Sequence, residues 1–153
     1  MRGHVELTDQ ITRQIHIEAS PEDVWQALVD ARKFGEWFHV DLDGPFEVGA
    51  TTTGTMTYPG QEGVPWLTVT EALEPHRRFV FKWPYVPEGR QITPDTKWLT
   101  IEFVLEPDAT GTLVTVTESG FASLPDGPRT EMPRDNSKGW EIQTGNLKDY
   151  VER

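Results

Sequence analysis

The period of the apolar residues changes three times along this chain, and no other feature limits its fold as much. Thr8 to Glu18 alternates, with Ile11, Arg13, Ile15 and Ile17 on one face, which predicts a first strand. A helical spacing then takes over for about twenty residues. From residue 42 to residue 119 apolar residues recur at every second position, in segments closed by turn residues. Towards the C-terminus the period lengthens again: Trp140, Thr144, Leu147 and Val151 are spaced four, three and four apart. Strands in series joined by tight turns pair antiparallel. A single terminal helix must then cover the apolar face of their sheet.

The boundaries follow from turn and capping chemistry. Ser20 can cap a helix that opens on Pro21, with Asp23 at the capping-box position and Val24, Trp25 and Leu28 as its stripe. Asp30 can cap a second short helix bearing Phe34, Trp37 and Phe38, weakened by Gly35. The predicted strands are Asp41 to Val48, Thr51 to Tyr58, Val64 to Leu73, Arg78 to Trp83, Lys97 to Glu106 and Thr112 to Ser119. Asp135, Asn136 or Ser137 can start the last helix, of about four to five turns. Gly139 and Gly145 leave it weak unless it lies on a sheet. Segments 84–96 and 122–136 are rich in Pro and Gly and read as lids or mobile connections. The expectation is an α+β domain: a curved antiparallel sheet of six to seven strands on a long C-terminal helix, with two short helices after the first strand. A chain of 153 residues suits one domain over 1–153, with a loose tail at residues 1–7.

Composition closes off several classes of function. Fourteen basic residues face twenty-five acidic ones, for a net charge of −11. That disfavours nucleic acid and anionic membrane surfaces, which both need a cationic footprint. No cysteine is present, which removes thiol catalysis, disulfides and Cys-based metal sites. His4, His16, His39 and His76 have no metal-ligand spacing, and no nucleotide or hydrolase motif occurs, so neither metal nor cofactor is expected. No signal peptide or membrane span is visible, and a cytoplasmic location is the expectation.

Three local motifs, in order, carry a resemblance. The first is Ile15-His16-Ile17-Glu18-Ala19-Ser20-Pro21-Glu22-Asp23-Val24-Trp25-Gln26-Ala27-Leu28. The second is Glu74-Pro75-His76-Arg77-Arg78-Phe79-Val80-Phe81-Lys82-Trp83. The third runs from Gly111 to Phe121, and Gly139-Trp140 with Leu147 and Tyr150 closes the set. Together they resemble the START/Bet v 1-like helix-grip superfamily (SRPBCC). The branch they look most like is the bacterial proteins named after the activator of heat-shock-protein-90 ATPase. The resemblance implies a cavity between sheet and helix, because a strongly curved sheet and one helix leave space that only very large side chains fill.

The candidate residues for such a cavity are mostly aromatic. Trp37, Phe38, Phe79, Phe81, Trp83, Leu99, Phe103 and Trp140 point inward by pattern, and Leu147 lies on the helix stripe. They can line a pocket for a flat or apolar molecule or simply fill the core. Val114 and Val116 put Glu118 on the core face, where a carboxylate must be paired, hydrogen-bonded or neutral. It could anchor a ligand, act as an acid–base group or sit in a salt bridge. Glu71 shares a face with Val69 and Leu73 and could form an acidic pair with Glu118. His39 stands at the sheet rim, as a pocket-mouth or surface residue, and Tyr58 ends a strand where it could offer a phenol. By the same alternation Trp66 and Trp98 fall opposite their apolar neighbours and point outward.

Three functions are compatible with this reading. The first is a binding protein for a small hydrophobic or aromatic molecule. The second is a polyketide cyclase/aromatase-like or hydrolase-like enzyme using the same cavity. The third is a chaperone-interacting module. A homodimer is a possible assembly.

Overall fold

The computed structural model describes residues 9–87 and 90–153. The expected tail at 1–7 lies outside the described residues. Strand β1 (Gln10–Ile17) leads into α1 (Pro21–Val29) and α2 (Ala31–Phe38). Six strands follow: β2 (Val40–Leu42), β3 (Thr51–Met56), β4 (Pro65–Glu74), β5 (Arg78–Tyr85), β6 (Lys97–Asp108) and β7 (Gly111–Ser119). A 3-10 turn at Phe121–Ser123 precedes α3 (Pro128–Glu152). The strands form one seven-stranded sheet in the order β1-β7-β6-β5-β4-β3-β2, with every named pair antiparallel. This is the helix-grip arrangement the sequence predicts.

The caps of the two short helices work as read. Ser20 Oγ accepts from the Asp23 N–H at 3.1 Å, and Asp30 Oδ1 accepts from the Lys33 N–H at 3.0 Å. Gly35 has a steric reason to be in α2. A Cβ there would lie 2.3 Å from the Val40 carbonyl oxygen, so glycine lets β2 pass directly over the helix. His39 ends α2 in the left-handed region at φ 67°, which turns the chain into β2.

Two expected elements differ. The strand predicted over Asp41 to Val48 is three residues long, Val40–Leu42. The rest is a loop whose Phe46 is 5% exposed, its ring 5.1 Å from Phe79 and 5.3 Å from Phe34. One buried aromatic in a loop mimics a strand's alternation. The second difference is larger. Helix α3 begins at Pro128, about two turns before the predicted start. Pro128 suits a first helical turn, whereas Pro133 lies inside the helix and removes one backbone donor. Packing overrides that loss: Pro133 is buried, and Met132 packs on a small cluster of Leu99, Phe121 and Leu124.

Helix α3 lies on the inner face of the sheet and is tied to β1 by polar contacts. Arg13 donates to the Ser137 carbonyl at 3.3 Å and to Glu141 at 3.1 Å. Lys148 Nζ donates to the His16 carbonyl at 3.0 Å. Beneath the helix Phe79, Phe81, Ile101 and Phe103 are fully buried, as is Leu147 of the helix itself. Most of the space between sheet and helix is therefore filled by aromatic rings.

Candidate functional site

Glu118 is the last inward residue of β7 and is 0% exposed. The salt bridge considered for it is not formed: its partners among the described residues are all neutral. Trp140 Nε1 donates to Oε1 at 2.9 Å, and Trp83 Nε1 donates to Oε2 at 2.9 Å. The Asn136 amide donates to both oxygens, at 3.1 and 3.3 Å. One carboxylate thus joins β5, β7 and α3. Burial pushes its pKa above the ordinary carboxylate value, and the donors from Trp140, Trp83 and Asn136 hold part of that rise back.

The indoles on this carboxylate belong to a wall. Trp83 and Trp140 stack at 5.9 Å between centroids with 15° between planes. Trp66 stands perpendicular to Trp83 at 5.6 Å, and Phe38 packs on Trp66 at 5.1 Å. Trp83 is half-buried, while Trp66 and Trp140 are buried. Two open grooves meet here. The smaller, about 450 Å³, is lined by Phe38, Met56, Trp66, Trp83, Glu118, Asp135, Asn136, Trp140 and Gln143 among others. The larger, about 950 Å³, runs along Pro84, Tyr85, Val86, Ile92, Leu99 and Met132. Trp66, Trp83 and Asn136 belong to both. The larger groove is lined by described residues of the 84–96 segment, read from sequence as a lid or mobile connection.

The structure sorts the predicted residues into three groups. Phe38, Trp83, Leu99, Glu118 and Trp140 line the grooves. Phe79, Phe81, Phe103, Leu147 and Trp37 are core, and Trp37 donates its indole N–H to the Ala27 carbonyl at 2.8 Å. His39, Tyr58 and Glu71 lie apart from both grooves. His39 and Tyr58 pair edge to face at 5.5 Å on the rim. Glu71 is exposed and falls where the β4–β5 register shifts. It shares the outward face of Leu67 and Val69 on β4, so no acidic pair with Glu118 forms. Among the described residues no cluster of three or more His, Asp or Glu side chains could hold a metal.

Sequence reasoning missed Trp66 and Asn136. Trp66 points inward, at 6% exposure, because the inner face of β4 is Trp66, Thr68 and Thr70, while Leu67 and Val69 face the other way. The aliphatic residues gave the wrong face. Asn136 is four residues before Trp140, hence on the same helical stripe, because α3 starts at Pro128 and not at the residues expected to cap it. Trp98 does lie on the outer face, where Lys82 Nζ sits 4.8 Å from its ring centroid.

A family model described as "Activator of Hsp90 ATPase homolog 1-like protein" matches residues 18–152. No curated protein sequence gives a significant match. Among solved structures, protein MLL2253 from Mesorhizobium loti has a TM-score of 0.75 at 20% identity, with 94% of this chain and 97% of that one covered. The Aha1 dimer from Colwellia psychrerythraea, solved in solution, has a TM-score of 0.72 at 24% identity, covering 95% and 97%. DynU16, a putative protein in the dynemicin biosynthetic locus, has a TM-score of 0.74 at 24% identity. There 95% of this chain aligns with 48% of the other. These likenesses concern the fold.

Proposed function

The chain belongs to the activator of Hsp90 ATPase homolog 1-like family, and from that premise we propose that it binds a small molecule in the paired grooves over Glu118. The observation that carries this is the aromatic wall of Trp66, Trp83 and Trp140, open to solvent on one side and backed by one buried carboxylate. Binding sites combine this kind of apolar lining with few, well-placed polar groups. No titratable side chain hydrogen-bonds Glu118 among the described residues. Asp135 in the same groove is held by Arg134 at 3.2 Å and is not hydrogen-bonded to Glu118, which favours binding over acid–base chemistry.

Gly139 supplies a test. It lines the smaller groove, and a Cβ added there meets nothing within 4 Å. Gly139→Phe should fill the groove without disturbing the core, and it removes a helix-weakening glycine. A thermal-shift screen of amphipathic and aromatic compounds should find ligands that stabilise the parent chain. The same ligands should leave Gly139→Phe unshifted. Equal shifts in both proteins would move the site elsewhere. The Aha1 structure described as a dimer supports the homodimer expectation, and light scattering in solution tests it.

A further inference from the structure

We propose that the occupant of the smaller groove is a small organic cation, an amine or quaternary ammonium head seated on the Trp83 ring with an apolar body in the larger groove. This rests on the reading of the grooves as a ligand site and adds the charge of the ligand.

The first support is the charge balance. Among the described residues the smaller groove is lined by no lysine or arginine and by two acids: Glu118, and Asp135, which pairs with Arg134 at 3.2 Å. Each partner of Glu118 presents an N–H and none accepts a proton, so its two oxygens are bonded as an ionised carboxylate would be. The three donors are neutral, which leaves the negative charge uncompensated. A buried charge without a counter-ion attracts one strongly in a poorly solvated site. The net charge of −11 adds a long-range field of the same sign.

The second support is the rings. Indole is the best side-chain partner for a cation. Donation of the Trp83 and Trp140 N–H groups to a carboxylate pushes electron density into both rings and strengthens that preference. The outer face of the same sheet shows the pairing in use, with Lys82 over Trp98 at 4.8 Å. Among the described residues no cation sits over Trp66, Trp83 or Trp140. The larger groove explains the rest of the ligand. Among the described residues its lining holds Arg90 and no acid and is otherwise largely apolar. It would repel the cationic head and accept the body.

A matched series tests this: 4-phenylbutylamine, 4-phenylbutanol and 4-phenylbutyrate share a body and carry a positive, neutral or negative head. Each is titrated by tryptophan fluorescence and calorimetry near neutral pH. The amine should bind about tenfold or more tighter than the alcohol, and the carboxylate weakest. In Glu118→Gln the ratio of amine to alcohol affinity should shrink to about threefold or less. If that variant fails to fold, the ratio in the parent chain decides alone. An alcohol that binds as tightly as the amine overturns the cation and leaves the binding site standing. If none of the three binds and Gly139→Phe also fails to change any ligand response, the binding reading falls with it.

Discussion

Strands β4 and β7 present the same alternation to the interior and treat their polar side chains in opposite ways. On β7 the inward residues are Thr112, Val114, Val116 and Glu118, all buried. Thr112 Oγ1 donates to the Ala19 carbonyl at 2.8 Å, and Glu118 collects three donors. On β4 the inward residues are Trp66, Thr68 and Thr70, buried to the same degree. There the indole N–H and both hydroxyls have no protein partner among the described residues. The cause is what lies opposite. β7 faces the β1–α1 link, whose Ala19 carbonyl accepts from Thr112, and α3 and Trp83 of β5, whose side chains donate to Glu118. Trp66 meets Phe34, Phe38 and Phe81, which supply none. Satisfaction of a buried polar group is thus set by the facing element and not by the strand that carries it. The settled strand holds the clamp of the site, and the unsettled one holds its rim.

The comparison breaks hardest at Glu118. Glu118→Ala would leave two indole N–H groups and one amide without their acceptor and unlink β5, β7 and α3. Each orphaned donor costs about 1–3 kcal/mol, eased where groove water reaches it. A loss of about 3 kcal/mol or more is expected in chemical denaturation. A loss below about 1 kcal/mol would show that the clamp contributes little to the fold.

The β4 threonines should respond with the opposite sign. Thr68→Val and Thr70→Val remove a hydroxyl that has no protein partner and keep the branched shape. Each should be neutral or stabilising by up to about 1 kcal/mol. The matching change on β7, Thr112→Val, should destabilise by about 1 kcal/mol, since it strips the Ala19 carbonyl of its donor. Thermal denaturation of the three variants side by side gives the answer. The same sign on both strands would end the contrast.

The two strands also mark what could be read from sequence. Val114 and Val116 put Glu118 inside because β7 follows the rule that aliphatic residues face the core. On β4 the rule inverts. Leu67 and Val69 face outward, and the inward residue that packs on Phe34, Phe38 and Phe81 is Trp66, with small threonines that take up little room beside it. Nothing in a single strand reveals which neighbours need that room. The sheet, the short helices and the inward set from Phe79 to Phe103 were legible through period and capping. The first two turns of α3 were not, because Pro128 and Pro133 read as breakers and the packing of Met132 and Pro133 is a tertiary fact. With those turns went Asn136, the third donor to the carboxylate.

The smallest effect tests the state of that carboxylate through pH. Burial raises the Glu118 pKa in the folded chain, so the native state binds this proton more tightly than the unfolded one. The stabilisation this brings is fully present below the unfolded value and is lost as pH rises through the folded value. Two exposed carboxylates act in the other direction. Glu74 is lowered by hydrogen bonds from Arg77 and then Arg78. Glu152 is lowered by the Glu18 backbone N–H and then Lys148. Their contribution is present above the unfolded value and is lost as pH falls through their own lowered values, so raw stability curves mix the signs. Subtracting Glu118→Gln from the parent chain at each pH cancels Glu74 and Glu152, which both proteins share. The difference should move in favour of the parent as pH is lowered from neutral towards the ordinary carboxylate value, then level off. A flat difference would mean that the indole and amide donors fully offset burial. A difference that moved against the parent would mean that they outweigh it, and the carboxylate would then be a better-settled charge than its surroundings suggest.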